Sequence, residues 1–232
     1  MAIDPGWTAT MDAAVQNPHS ADYDSVIQAA LADYKARLGA TPNFPALDWL
    51  LFKALILTES GGPAGAAWTG RVMQIGNPGD PAYTVLKNGG EGSALVMGAQ
   101  LRIDLDTRPI ATPSLNIQAG IAYVMTKAAV MQLHEVIDSP TPSNHVVKRG
   151  DAFARIANSE HTTLQELAEM NPKTNAGSLH PGQILSFHRA HMQVAIIDWH
   201  AVTANFLATR YNGGGDKNYE AKLTYVLGKL QP

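Results

Sequence analysis

Residues 49 to 57 read Trp-Leu-Leu-Phe-Lys-Ala-Leu-Ile-Leu and run straight into Thr58-Glu59-Ser60-Gly61-Gly62-Pro63. A segment that is apolar almost all round is, as a helix, a core element rather than a surface one. Pro45 suits its first turn, and Gly-Gly-Pro after Ser60 is a strong stop signal. Glu59 is therefore expected at the C-terminal end of a buried helix. Apolar surroundings disfavour its charged form, and so does the negative end of the helix dipole. Both effects favour a carboxyl group that keeps its proton near neutral pH, the property that cleavage of a glycosidic bond requires of a general acid. The alternative is a solvated glutamate at a fraying helix end.

A chain of 232 residues holds one sizeable core, or one core and a small module. Its 45% hydrophobic content is that of an ordinary globular protein. The formal net charge is −3 with the charges scattered, which leaves no nucleic-acid footprint. Cysteine is absent, excluding disulfides, thiol catalysis and cysteine-ligated metal. The longest apolar run is broken by Lys53 and is too short to span a bilayer.

Residues 1 to 20 mix Pro, Gly, Asn and small residues and read as an extended arm. Ile27, Leu31, Tyr34 and Leu38 recur at helical spacing, and Gly39 closes that segment. Residues 61 to 92 hold nine glycines and three prolines and read as a long irregular stretch, the kind that more often forms a working surface than filler. Further helices are predicted at about 93–106, 115–135, 191–209 and 217–230. Ala195, Trp199, Val202 and Phe206 mark one face of the third of these.

Ser139-Pro140-Thr141-Pro142-Ser143 is a stiff linker, after which the pattern changes. His145 to Lys148 and Ile184 to Phe187 read as short strands, with helical patterns at 152–158 and 163–170 between them. The result is a βααβ unit of about 45 residues, near the minimum for independent folding.

That unit resembles a LysM module. The matching residues are Val146 to Asp151, Ile156-Ala157, Leu164 to Leu167, Asn171-Pro172 and Leu179 to Leu185. The resemblance implies binding of N-acetylglucosamine-containing glycans by two loops. One loop holds Gly150, Asp151, Ala152 and Phe153; the other runs from about Asn175 to Pro181 and Gly182. Ala152-Phe153 stands where the family usually has Thr-Leu.

The remainder resembles the catalytic domain of soluble lytic transglycosylases and goose-type lysozymes. Ala54 to Ser60 matches that family's Glu-Ser motif, which implies Glu59 as catalytic acid. Val72-Met73-Gln74-Ile75 matches a segment that lines the cleft, with Arg71 where the family usually has Gly. Asn116 to Tyr123 matches a helix bearing an asparagine and an aromatic near the sugar. Tyr211-Asn212-Gly213-Gly214, with Tyr219 and Val226, matches the Tyr-Asn-Ala-Gly segment and its trailing tyrosine. Four blocks in the right order carry far more weight than any one of them.

The fold expected is mainly α, a lysozyme-like α-helical catalytic domain with a small βααβ LysM module inserted. The catalytic domain would be discontinuous, residues 21–138 and 190–232, with the module at 144–189. Two connections would restrict the module more than a single tether.

The resemblance implies a peptidoglycan lytic transglycosylase that cleaves between N-acetylmuramic acid and N-acetylglucosamine and leaves 1,6-anhydro ends. Ser60, Met73, Gln74, Asn116, Tyr123, Tyr211 and Asn212 are the residues expected to orient Glu59 and the sugar. Hydrolases need a second carboxylate. Glu91 is the candidate that could face the cleft, whereas Asp104 and Asp106 read as solvated surface acids. The alternatives are a muramidase acting on the same bond and a non-catalytic peptidoglycan-binding protein. No cofactor or metal is called for: His-Glu-x-x-His is absent, and His188 and His191 read as exposed junction residues. The first residues resemble no secretory leader, so the expectation is export by another route or a removed leader, with action at the bacterial wall. A phage-type lysin or an exported antibacterial effector fits such a route, and the effector would in turn imply an immunity protein that plugs the cleft.

Overall fold

The computed structural model describes residues 2–231. Its helices are α1 (Pro5–Gln16), α2 (Asp24–Leu38), α3 (Trp49–Ser60), α4 (Pro81–Asn88), α5 (Ser93–Val96), α6 (Ala99–Thr107) and α7 (Pro113–Ala128). Strands β1 (Ala129–Ile137) and β2 (Ser143–Val146) come next, then α8 (Phe153–Glu160) and α9 (Leu164–Met170). Strands β3 (Ile184–Phe187) and β4 (Ala190–Trp199) precede α10 (Ala204–Phe206), a π-helical turn at Leu207–Tyr211, and α11 (Tyr219–Leu230). The chain divides into two compact units: residues up to 131 with those from 196 onward, and an inserted unit of residues 132–195.

In the helical unit α3 is the central element, packed against α11, α2 and α1. Phe52, Ala54, Leu55, Ile56 and Leu57 are essentially inaccessible to solvent. Each large apolar chain buried this way contributes about 1.5–3 kcal/mol relative to exposure. Lys53, only 8% exposed, is tolerated because its ammonium reaches Asp24 Oδ2 on α2 at 2.8 Å. The helix starts later than Pro45: Asp48 caps it by accepting from the Leu50 N–H at 2.9 Å. It ends where the sequence indicates, at Gly61, whose φ of +77° is the left-handed conformation glycine adopts without strain.

Four expectations are corrected. The arm expected over residues 1–20 is, among the described residues, largely helical: Asp4 caps α1, Pro5 occupies its first turn, and Met11 and Ala14 are buried. The glycine-rich stretch 61–92 contains α4, started by Asp80 and Pro81. The helix predicted for 115–135 stops at Ala128 and continues as β1, and the one predicted for 191–209 is β4 over its first half. These two strands pair with each other. The Asp138 N–H donates to the Arg189 carbonyl at one end, and the His200 N–H to the Ala128 carbonyl at the other.

In the inserted unit β2 and β3 pair antiparallel, with Asn144 opposite Ser186, His145 opposite Leu185 and Val146 opposite Ile184. Val147, Phe153, Ile156, Ala157, Leu167, Leu185 and Phe187 form its core. Thr163 caps α9 through the Glu166 N–H, and the Asn171 side chain binds both backbone groups of Ser186, tying α9 to β3. The order β, α, α, β agrees with the sequence reading.

Candidate active site

A cavity of about 560 Å3 in the helical unit is lined by Glu59, Met73, Gln74, Asp80, Tyr123, Lys127, Arg210, Tyr211 and Asn212, among others. Glu59, the penultimate residue of α3, presents its carboxyl group there. The Tyr219 hydroxyl donates a hydrogen bond to Glu59 Oε1. Burial raises the Glu59 pKa above the ordinary carboxylate value, and the hydrogen bond from Tyr219 opposes that rise without cancelling it. Burial and the neighbouring Glu59 also hold the hydroxyls of Tyr219 and Tyr211 protonated, so both remain donors.

Facing Glu59 is the segment Val72–Ile75. Gln74 has a φ of +58°, a left-handed conformation that is costly for a residue with a side chain. Its amide nitrogen donates to the Glu59 carbonyl at 3.3 Å, and its amide oxygen accepts from Asn77 at 2.7 Å. The segment is held from behind by Asn116, which is fully buried on α7. Asn116 Oδ1 accepts from the Met73 N–H at 2.8 Å, while Nδ2 donates to the carbonyls of Ile75 and Ile110 at 2.8 and 3.2 Å. From the other side the Tyr211 hydroxyl donates to the Met73 carbonyl at 2.7 Å. Tyr211 closes the π-helical turn, and its ring meets that of Tyr123 edge to face.

The structure thus brings Glu59, Met73, Gln74, Tyr123, Tyr211 and Asn212 to one cavity. Asn116 is not on its surface; its amide is engaged by backbone groups of Met73, Ile75 and Ile110. Ser60 is buried as well, its hydroxyl donating to Ile56 and accepting from the Gly62 N–H, so it finishes the helix rather than facing the cavity. Glu91 does not line the cavity but pairs with Lys127, which does and whose ammonium lies over the Tyr123 ring. Asp104 and Asp106 pair with Arg108 and Lys87, away from the lining.

Sequence reasoning assigned no role to Tyr219, Asp80, Lys127 or Arg210. Tyr219 sits in a matched block, but its contact with Glu59 closes only when α11 packs on α3. Asp80 was legible only as a helix cap before Pro81. Its two oxygens accept from the N–H groups of Ala82 and Gly76 at 2.9 and 2.7 Å.

In the inserted unit Gly150, Ala152, Pro181 and Gly182 are exposed and Asp151 is half-buried. Phe153, 7% exposed, belongs to the core and offers no side-chain surface to a ligand, which corrects its assignment as a glycan contact. The Gly182 N–H donates to the Val147 carbonyl, and the Val147 N–H to the Gln183 carbonyl. His188 and His191 engage Glu166 and Asp138. Carboxylate oxygens of Glu135, Glu166 and Glu169 converge within 4.8 Å. Two of these carboxylates are already engaged, Glu135 by the Glu166 N–H and Glu166 by His188.

Residues 145–187 match the family model of the LysM domain, a peptidoglycan-binding module. No curated protein and no solved structure matches the chain. The LysM match ties the protein to peptidoglycan and the cell wall. Among the described residues, no helix is long and apolar enough to cross a membrane.

Proposed function

We propose that the helical unit is a peptidoglycan lytic transglycosylase with Glu59 as its acid and base. The observation that carries this reading is a partly buried carboxyl group, raised in pKa and oriented by Tyr219, at the wall of a cavity large enough for sugar residues. Protonated Glu59 gives its proton to the glycosidic oxygen as the bond to C1 of N-acetylmuramic acid breaks. The substrate's own acetamide oxygen stabilises the cationic centre. The Glu59 carboxylate then takes the proton of the 6-hydroxyl as that oxygen bonds to C1, closing the 1,6-anhydro ring. No water is consumed, so no second carboxylate is required.

The second reading is a muramidase, and Asp80 favours it as the other carboxylate lining the cavity. Both of its oxygens are already engaged by backbone N–H groups, which leaves less acceptor capacity to direct a water and supports the transglycosylase. The LysM domain would hold the enzyme on its polymer through Gly150, Asp151, Ala152, Pro181 and Gly182. An inhibitor protecting a producing cell would enter the same cavity.

Mass spectrometry of purified peptidoglycan digested by the wild type and by Glu59→Gln tests the proposal. Anhydro-muropeptides made only by the wild type are expected. Reducing ends lost in Asp80→Asn would establish the muramidase. Sedimentation with the wall and no released product would leave a binding protein.

A further inference from the structure

His145 lies on β2, on the face of the hairpin turned towards the module's interior, opposite Leu185. Both of its ring nitrogens meet carboxylates. Nδ1 is 2.8 Å from Glu160 Oε1, at the end of α8, and Nε2 is 3.0 Å from Asp151 Oδ2. The ring is shielded, with its side chain 13% exposed. A neutral imidazole carries one N–H and satisfies only one of these partners; the imidazolium satisfies both. The same Asp151 oxygen accepts from the Lys148 N–H at 2.7 Å, fixing the turn that carries Gly150 and Ala152. Arg155 supports that turn from α8, donating to the Gly150 carbonyl at 2.7 Å.

We propose that His145 is a positioning residue for glycan binding, acting as an imidazolium clamp that holds Asp151 and its loop in the binding geometry. The proposal rests on the assignment of that loop to glycan binding. The charged groups around the ring are Asp151 and Glu160, with Arg155 and Lys148 beyond them on the loop side; β3, paired against β2, offers no ionisable side chain between Ile184 and Phe187. Asp151, then Glu160, raises the His145 pKa against the opposing effect of burial, and His145 in turn lowers that of Asp151. A histidine raised in the folded state contributes its full stabilisation below its ordinary value of 6.5 and loses it as pH rises through the folded value. Binding by the module therefore weakens on alkalinisation, in step with deprotonation of this ring.

The experiment uses the full chain carrying Glu59→Gln, so that the probe is not cleaved. N-acetylglucosamine hexamer is titrated at pH 6 and pH 9 while the backbone amide signals of Gly150 and Gly182 and the ring signals of His145 are followed. Binding about five- to tenfold weaker at pH 9 is expected, a difference of about 1–1.4 kcal/mol, with its midpoint at the titration of the His145 ring. His145→Gln is expected to remove the pH dependence. Asp151→Asn, which keeps an acceptor for the Lys148 N–H, is expected to do the same without relying on the fold of the first variant. Equal affinity at both pH values, or a wild-type pH profile in either variant, overturns the proposal alone. Absence of any shift at the module's amides at every pH overturns the glycan-binding assignment, and the proposal with it.

Discussion

Tyr219 lies 160 residues after Glu59, and its hydroxyl donates to the Glu59 carboxyl group across the contact between α11 and α3. The carboxyl therefore experiences two opposed effects, burial that favours the proton and a hydrogen bond that favours the anion.

Removing the hydrogen bond alone should expose the difference. In Tyr219→Phe the Glu59 pKa is expected to rise further. With protonated Glu59 as the proposed proton donor, the alkaline limb of the pH–rate profile should move to higher pH. The rate should fall about 5- to 30-fold for the loss of one orienting hydrogen bond of about 1–2 kcal/mol. An unmoved limb would show that Tyr219 does not act on Glu59.

Glu59→Gln should trade activity for stability. Activity is expected to fall at least about 10²- to 10⁴-fold. The folded protein binds the Glu59 proton more tightly than the unfolded chain does, so this group's contribution to stability is intact below its ordinary value of 4.5 and is lost as pH rises through the raised one. An amide does not ionise. Thermal melting should therefore show the variant equal to the wild type in acid and more stable at neutral pH, by about 2–4 °C per kcal/mol gained. A variant less stable at neutral pH than in acid, relative to wild type, contradicts the burial account.

Gly120→Ala places a methyl group on the face of α7 that receives Met73. An added Cβ would lie 2.4 Å from Met73 Sδ and 2.7 Å from Met73 Cβ. Alanine improves helix propensity by about 1 kcal/mol, but overpacking costs about 1–3 kcal/mol, so a net loss and a raised KM are expected. Combining it with Met73→Ala should recover part of the loss in urea unfolding. Simple additivity would mean the two sites do not touch.

Asn116→Leu keeps the approximate volume and leaves the Met73 N–H and the Ile75 carbonyl without their partners. A loss of about 3 kcal/mol is expected from the urea midpoint, since buried unsatisfied groups cost about 1–3 kcal/mol each. A loss below about 1 kcal/mol would mean that other contacts hold the segment in place.

The helix α3, its end at Gly61 and the βααβ order of the module were legible because they depend on local signals: composition, stop residues and turn chemistry. Helix α1 was missed because only Met11 and Ala14 are buried along it, leaving little apolar periodicity to read. The strands β1 and β4 were misread for a different reason. Trp199, Val202 and Phe206 recur at helical spacing and are all buried, yet they sit on a strand, a connection and a short helix. Their pairing partner lies some 60 residues upstream, beyond the reach of local patterning. The same limit hid Tyr219 and Asp80 as cavity groups. Asn116 and Ser60 lie in blocks whose neighbours line the cavity, but a sequence block does not tell a residue that faces a cavity from one that braces its wall from behind.

The hydrogen bond from the His200 N–H to the Ala128 carbonyl, 2.8 Å long, has a consequence for how such a chain is assembled. The helical unit sends its backbone out and takes it back at points one hydrogen bond apart. The strand residues just beyond that bond, Met131, Ile196 and Trp199, still pack on the helical core, so the portion open to exchange is the one between residues 132 and 195. A module of another size placed between those two strands is expected to leave the cavity at Glu59 unchanged.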